Sequence, residues 1–396
     1  MLEFTLLSLC GLWIAGLGYL FWAAYRVPQF HDLQFTAPRT WPRLSVVIPA
    51  CNEADHIESA VASLLAQDYP DFEIILIDDR STDGTGEIVD RLAASDRRVR
   101  ALHVTALPEG WLGKVHALAR GVEVAAGDWL LFTDADVHFA PATLSRAVGF
   151  AVDRRIDHLA LAPLAVQRNL WLDVAVHGFT LLFMIGTRAA GINQPQSKAF
   201  VGVGAFNLVR RTALARTPGF SWLRLEPCDD VGLGLMIKRA GGRSFFAIAR
   251  QQLTVAWYPS LAAMFKGLEK NLFGASASYR WWVTLIQVAG LLALAAAPAL
   301  SVAIGFSQSR PLVLWVAIAV LALLGLFSFY GATEGWRGRL SLLLAPVGFA
   351  MIAAMMANAA WRCLTHNGID WRGTRYPLAQ LRAGQRVKLG EDCAEM

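Results

Sequence analysis

Three stretches in the last third of the chain, residues 283–306, 311–330 and 341–361, contain no charged side chain. Each reaches the roughly 20 residues that an α-helix needs to cross the hydrocarbon core of a bilayer. Residues 1–25 form a fourth run, interrupted only by Glu3 and ending in Trp22, Tyr25 and Arg26, residue types that anchor a helix at the membrane–water interface. Four such runs cannot all be buried in a water-soluble core, so the chain is expected to meet lipid. Composition agrees: 55% of residues are hydrophobic and 17% charged, against roughly 45–50% and 25% in soluble domains. The first run lacks a basic start and is longer than the apolar segment of a cleaved signal peptide, so it is expected to persist as an anchor.

Between these runs the composition is that of an ordinary soluble domain. The expected organisation is therefore a transmembrane helix at 1–25, a cytoplasmic domain at 26–282, about three transmembrane helices at 283–361 and a basic tail at 362–396. Arg26, Arg39 and Arg43 place the domain in the cytoplasm by the excess of positive charge on that side, and Arg372, Arg375, Arg382, Arg386 and Lys388 draw the tail to the same side. Three complete crossings would separate the two, so either one apolar segment, foremost 341–361, is re-entrant or interfacial, or the charge rule fails at the tail; a cytoplasmic tail is the expectation. A multi-pass protein of the cell (inner) membrane follows. Residues 169–191 are apolar but carry Asp173, His177 and Arg188, which suits an amphipathic helix in the headgroup zone, with a buried core helix as the alternative.

Within the domain, residues 44–49 (LSVVIP) read as a buried strand, and Ile57, Val61, Leu64 and Leu65 have helical spacing. A second strand at 72–77 runs into Asp78-Asp79-Arg80-Ser81-Thr82-Asp83-Gly84-Thr85, a helix follows at 87–94, and a third strand lies at 99–104. This alternation predicts an α/β fold with a mostly parallel sheet, whose ligands bind beyond the carboxyl ends of the strands. By itself DDRSTDGT is also what a turn leading into a helix requires. A second acidic strand end, Asp134-Ala135-Asp136 after Leu130-Leu131-Phe132, adds weight to a binding role. Two carboxylates so close are costly to hold unless a cation or hydrogen-bond donors neutralise them. An all-oxygen set suits Mg²⁺ or Mn²⁺ carrying phosphate oxygens.

The series IPACNEADHI, LIDDRSTDGT and FTDADV, in that order and spacing, resembles the family-2 glycosyltransferases with a GT-A fold, over about residues 44–282. The resemblance implies a nucleotide-sugar donor. It assigns Glu53, Asp78 and Asp79 to the donor, with Asp79 against the uracil-ribose side of a UDP-sugar, and Asp136 with Asp134 to the metal and diphosphate. His138 is a further candidate ligand, although a surface or packing role is the commoner one for such a residue.

Residues 107–121 (LPEGWLGKVHALARG) place Lys114 at a helix start between the acidic motifs, where it can pair with phosphate. The pattern GW-x-GK-x-x-AL is similar to hopanoid-associated and carotenoid-type members and to ceramide glucosyltransferases. Residues 199–211 (AFVGVGAFNLVRR) resemble the stretch lining the sugar and acceptor cleft, with Gly202 and Gly204 permitting close approach of the ring, while core packing explains them equally well. In Glu226-Pro227-Cys228-Asp229-Asp230, Asp230 matches the general base and Asp229 the acceptor side, while Asp229 also suits a helix cap. Arg280-Trp281 matches the end of the family's (Q/R)xxRW element for diphosphate and acceptor, but Ala277 stands where Gln or Arg is expected, and a basic-aromatic belt before a membrane helix explains the pair equally well. Trp371-Arg372-Gly373-Thr374-Arg375-Tyr376 resembles the ending of ceramide glucosyltransferases, and Arg372 and Arg375 are candidates for reaching donor phosphates.

The expected activity is an inverting transfer of one sugar from a UDP-sugar to a hydroxyl of a membrane lipid, hopanoid-, carotenoid- or ceramide-like. A polyprenyl-phosphate glycosyltransferase or a polysaccharide synthase are alternatives among enzymes, and an inactive membrane scaffold or lipid carrier is the alternative outside them. The formal net charge is only +5 and the basic residues follow no RNA- or DNA-binding pattern, so no nucleic-acid partner is expected. Cys10, Cys51, Cys228, Cys363 and Cys393 form no ligand-spaced pair, and a structural zinc site is not expected either.

Overall fold

The computed structural model describes residues 1–167, 169–331 and 335–389. Cys393 and the end of the basic tail, residues 390–396, lie outside the described residues. The chain divides into an α/β unit, made of Val27–Val166, Gly191–Trp257 and the segment from Asp370 onward, and a helical unit, made of Met1–Arg26, Gln167–Ala190 and Tyr258–Ile369.

The α/β unit is built on seven strands: β1 (Leu44–Ala50), β2 (Phe72–Asp79), β3 (Val99–Val104), β4 (Trp129–Phe132), β5 (His158–Ala162), β6 (Asn207–Arg210) and β7 (Ser244–Ile248). Their spatial order is β3-β2-β1-β4-β6-β5-β7. The pairs β1–β2, β1–β4, β2–β3 and β5–β7 are parallel, while β6 runs antiparallel to both β4 and β5. The fold is the expected α/β, GT-A-like one. Every residue of β1 is buried, as befits a central strand covered on both faces. The Ile57–Leu65 helix buries Ile57, Ala60, Val61 and Leu64, one helical stripe, and Ile57, Val61 and Leu64 join Ile48, Ile74, Leu76 and Leu131 in the core. Because β1, β2 and β4 are parallel, Asp78, Asp79 and Asp134 emerge at the same edge of the sheet.

In the helical unit, Leu2–Arg26, Trp281–Ser307, Pro311–Gly331 and Ala345–Thr365 are long and apolar enough to cross a membrane. Trp13 Nε1 donates to the carbonyl of Leu294 at 2.8 Å, and its ring stacks on Phe349 at 5.1 Å. The run expected at 341–361 begins differently. A separate helix, Gly335–Leu343, precedes Ala345–Thr365, and Pro346 occupies the first turn of the latter, where its missing N–H costs nothing. The apolar segment after residue 169 forms a helix, Leu170–Gly186. Its polar residues are used within the unit: Asp173 pairs with Arg337 at 2.6 Å, and His177 Nδ1 lies 2.8 Å from the Ser341 hydroxyl. Gly178 meets Gly348 backbone to backbone, an approach that only small residues allow.

Candidate active site

The two loops at the carboxyl ends of β1 and β2 are stitched together by their own side chains. The backbone N–H of Asn52 donates to Ser81 Oγ at 3.0 Å, that of Glu53 to Thr85 Oγ1 at 2.8 Å and that of Ala54 to Asp83 Oδ2 at 3.1 Å, while Asn52 Oδ1 accepts from Thr82 N at 2.8 Å. The Ser, Thr, Asp and Asn residues of both motifs thus serve loop geometry first. Asp78 is likewise engaged, accepting from Ser81 N at 3.2 Å and lying 3.2 Å from His103 Nδ1. Asp79 is buried and gripped by the Nε–Nη2 edge of the Arg80 guanidinium, at 2.8 and 3.1 Å. No motif in the sequence assigns Arg80 a role, although its position directly after the acidic pair is a visible signal.

Lys114 stands in the first turn of the Gly113–Val124 helix. Its Nζ lies 2.8 Å from Asp134 Oδ1 and 3.4 Å from Asp229 Oδ2. Burial works against the ammonium, but the carboxylates of Asp134, Asp229 and Asp230 outweigh it and hold Lys114 protonated well beyond its usual range. Asp229 and Asp230 begin the Asp229–Arg239 helix. Asp230 Oδ2 accepts the backbone N–H of Gly204 at 2.9 Å, and the carbonyl of Gly204 accepts the N–H of Asp134 at 3.2 Å. One glycine therefore joins the loop after β4 to the start of this helix. A Cβ at Gly204 would stand 2.6 Å from Asp134 Oδ2, and one at Gly202 would overlap the carbonyl of Asp230. The approach demands glycine at both positions. Lys114, Asp134, Gly204, Asp229 and Asp230 line one narrow cavity, floored by Phe132, Asn207 and Phe220.

Burial, together with repulsion from Asp229, pushes the Asp230 carboxyl up to about 6, against the pull of Lys114. Asp136 is pushed up to about 7, by burial first and then by Asp134 and Glu53. Glu53 is itself raised by burial, against the pull of Arg372. Asp134, Asp136 and Glu53 are thus a set of mutually repelling oxygen donors. Their chemistry fits a hard divalent cation. Among the described residues no three His, Cys, Asp or Glu side chains are disposed to hold a metal by themselves, so such an ion would need further oxygens from a ligand, the habit of Mg²⁺ with nucleotides. His138 Nε2 lies 3.1 Å from the Ser59 hydroxyl, a packing role. Arg280 and Trp281 belong to the helical unit, at the start of the Trp281–Ser307 helix, with Trp281 exposed.

The tail contributes more than its sequence suggested. Glu226, fully buried, accepts backbone N–H groups from Cys228 at 3.0 Å, Arg386 at 2.7 Å and Val387 at 2.9 Å, and Arg386 lies over the Trp222 ring. Upstream, Tyr376 Oη accepts from Gly113 N at 3.3 Å, Arg80 Nη1 donates to Thr374 Oγ1 at 3.2 Å, and Arg372 reaches Glu53 at 3.2 Å. Glu226 lay in a recognised motif, but nothing in the sequence connected it with residues 386 and 387.

Residues 45–217 match the family described as Glycosyl transferase family 2. That match covers less than half of the chain. Glycosyltransferase GlyG of Streptococcus pneumoniae is 40% identical over 93 residues, which are 24% of this chain and 30% of that protein. The GalNAc(5)-diNAcBac-PP-undecaprenol beta-1,3-glucosyltransferase of Campylobacter jejuni is 33% identical over 104 residues, 26% of this chain and 33% of that one. The chain thus spans about a third of the length of these relatives. A solved structure, the mannosyltransferase PcManGT from Pyrobaculum calidifontis in complex with GDP-Man and Mn²⁺, superposes with a TM-score of 0.52 at 19% identity, covering 92% of this chain and 99% of that one. At that identity the likeness concerns the fold.

Proposed function

We propose that the protein is an inverting, membrane-bound glycosyltransferase that moves a single sugar from a UDP-sugar to a hydroxyl of a membrane lipid. The observation that carries this reading is the gathering of Asp134, Asp229 and Asp230 around Lys114 in one cavity at the carboxyl end of a parallel sheet. Asp230, raised toward neutrality and anchored by Gly204, suits a general base. It takes the proton of the acceptor hydroxyl while the oxygen attacks the anomeric carbon and the bond to the diphosphate breaks. One displacement inverts the anomeric centre. Lys114 offers fixed positive charge to the departing diphosphate. Asp134 and Asp136 would hold Mg²⁺ or Mn²⁺, which offsets the charge of the leaving group when bound. Glu53 and the Asp79–Arg80 pair shape the nucleoside end.

A lipid acceptor is supported by four helices of membrane-spanning length and by the likeness of GW-x-GK-x-x-AL to enzymes of hopanoids, carotenoids and ceramide. The arginines flanking the first helix favour a cytoplasmic α/β unit. The segment from Asp370 belongs to that same unit, which favours an even number of complete crossings between Tyr258 and Ile369. The name of the Campylobacter relative favours, as a second reading, a polyprenyl-linked acceptor.

The test is incubation of the purified full-length protein with UDP- and GDP-sugars and a membrane lipid extract, with and without chelator, followed by mass spectrometry. A single hexose-sized increment on a lipid, lost on chelation, is expected. An increment on polyprenyl phosphate alone would support the second reading, and no transfer from any donor would defeat both.

A further inference from the structure

The C-terminal hairpin pairs Gly368–Trp371 with Thr374–Pro377. Its two turn residues, Arg372 at φ 48° and Gly373 at φ 75°, are both left-handed, the pattern of a tight two-residue hairpin turn, in which Asn or Asp commonly precedes Gly. An arginine there costs roughly 1–2 kcal/mol of backbone strain. The contact it makes does not offset that cost: the Arg372–Glu53 pair is partly exposed, its side chains 28% and 22% accessible, and such pairs add little to stability. Strain held without a stability return points to function.

The surroundings say which. Glu53 interacts with Asp134 and Asp136, so the Arg372 guanidinium lies at the rim of the carboxylate set. The hairpin is also pinned beside it, by Tyr376 on Gly113 N and by Thr374 on Arg80. The turn is thereby held across the two loops and the helix start that bear Asp79 and Lys114. A guanidinium is a planar fork that binds phosphate oxygens in pairs, more strongly than it holds one carboxylate oxygen at 3.2 Å.

We infer that Arg372 is a ligand of the donor diphosphate, exchanging Glu53 for phosphate oxygens when the nucleotide binds. The inference rests on the donor reading above. It makes the hairpin a strap whose turn completes the donor site, and it explains why a chain that has returned from the helical unit closes on these loops.

The experiment uses the full-length protein in detergent and measures UDP, GDP and uridine binding by calorimetry, for wild type, Arg372→Gly and Arg372→Asn. Both replacements tolerate the left-handed turn, so the hairpin should be kept or strengthened, and tail proteolysis and melting temperature report on it. UDP is expected to bind about tenfold or more weakly to both variants, as loss of a charged hydrogen bond implies, with uridine affinity unchanged. Equal UDP affinity in wild type and variants overturns the inference while leaving the donor reading intact. So does an equal loss for UDP and uridine, which would mark a structural role. Wild-type protein that binds neither UDP nor GDP defeats the donor reading and this inference with it.

Discussion

Lys114 Nζ lies 2.8 Å from Asp134 Oδ1 across a cavity that also holds Asp229 and Asp230. A single ammonium therefore restrains three carboxylates contributed by two separate loops. Replacing it with an apolar isostere leaves those charges facing one another. Lys114→Met is expected to destabilise the α/β unit by about 3–5 kcal/mol, the usual cost of breaking a buried pair, and to abolish transfer. A melting temperature unchanged from wild type would show that the cluster is held by other means.

Asp230→Asn removes the proposed base while keeping an oxygen for the Gly204 N–H. Turnover should fall by about 10²–10⁴-fold with nucleotide binding retained. In the wild type the carboxyl must be ionised to accept a proton, so kcat should decline as pH drops through about 6 and be flat above it. A variant retaining full turnover would point instead to an acceptor that is already ionised, such as a phosphate.

Glu226 fastens the tail by accepting from Cys228, Arg386 and Val387. Glu226→Ala leaves these buried donors unsatisfied, at a cost of about 2–4 kcal/mol, and should release the chain after Leu381. Limited trypsin digestion is then expected to cut at Arg382, Arg386 and Lys388 faster than in wild type. Glu226→Gln, which keeps the acceptor oxygen, should be intermediate. Identical digestion of all three proteins would contradict the anchoring role.

His158 is buried between β6 and β7, its Nε2 3.0 Å from Asn207 Oδ1. Burial drives its pKa down to about 4, against the Asn207 bond, so the folded protein keeps the ring neutral where the unfolded chain protonates near 6.5. The contribution to stability is full above about pH 6.5 and is lost as pH falls toward 4, by about 3 kcal/mol in all. Melting temperatures between pH 7 and 4.5 should drop less steeply in His158→Gln than in wild type. Parallel curves would remove His158 as the cause.

The membrane-length helices, the parallel α/β arrangement and the acidic strand ends were all legible in the sequence, because each leaves a local mark. Apolar length, the alternation of strand and helix patterns, and carboxylates at predicted strand termini need only a few neighbouring residues to be seen. The family resemblance suggested that Gly204 admits a sugar ring at close range. Its actual use, joining Asp134 N to Asp230 Oδ2, requires partners about 70 and 26 residues away along the chain. Tertiary structure alone decided how the distant charges pair: Lys114 with Asp134 and Asp229, Glu53 with Arg372 and Glu226 with the backbone of the tail. A hydrogen bond between residues 53 and 372 has no periodicity and no fixed spacing. It exists because hydrophobic burial and chain connectivity bring two distant segments to the same edge of one sheet.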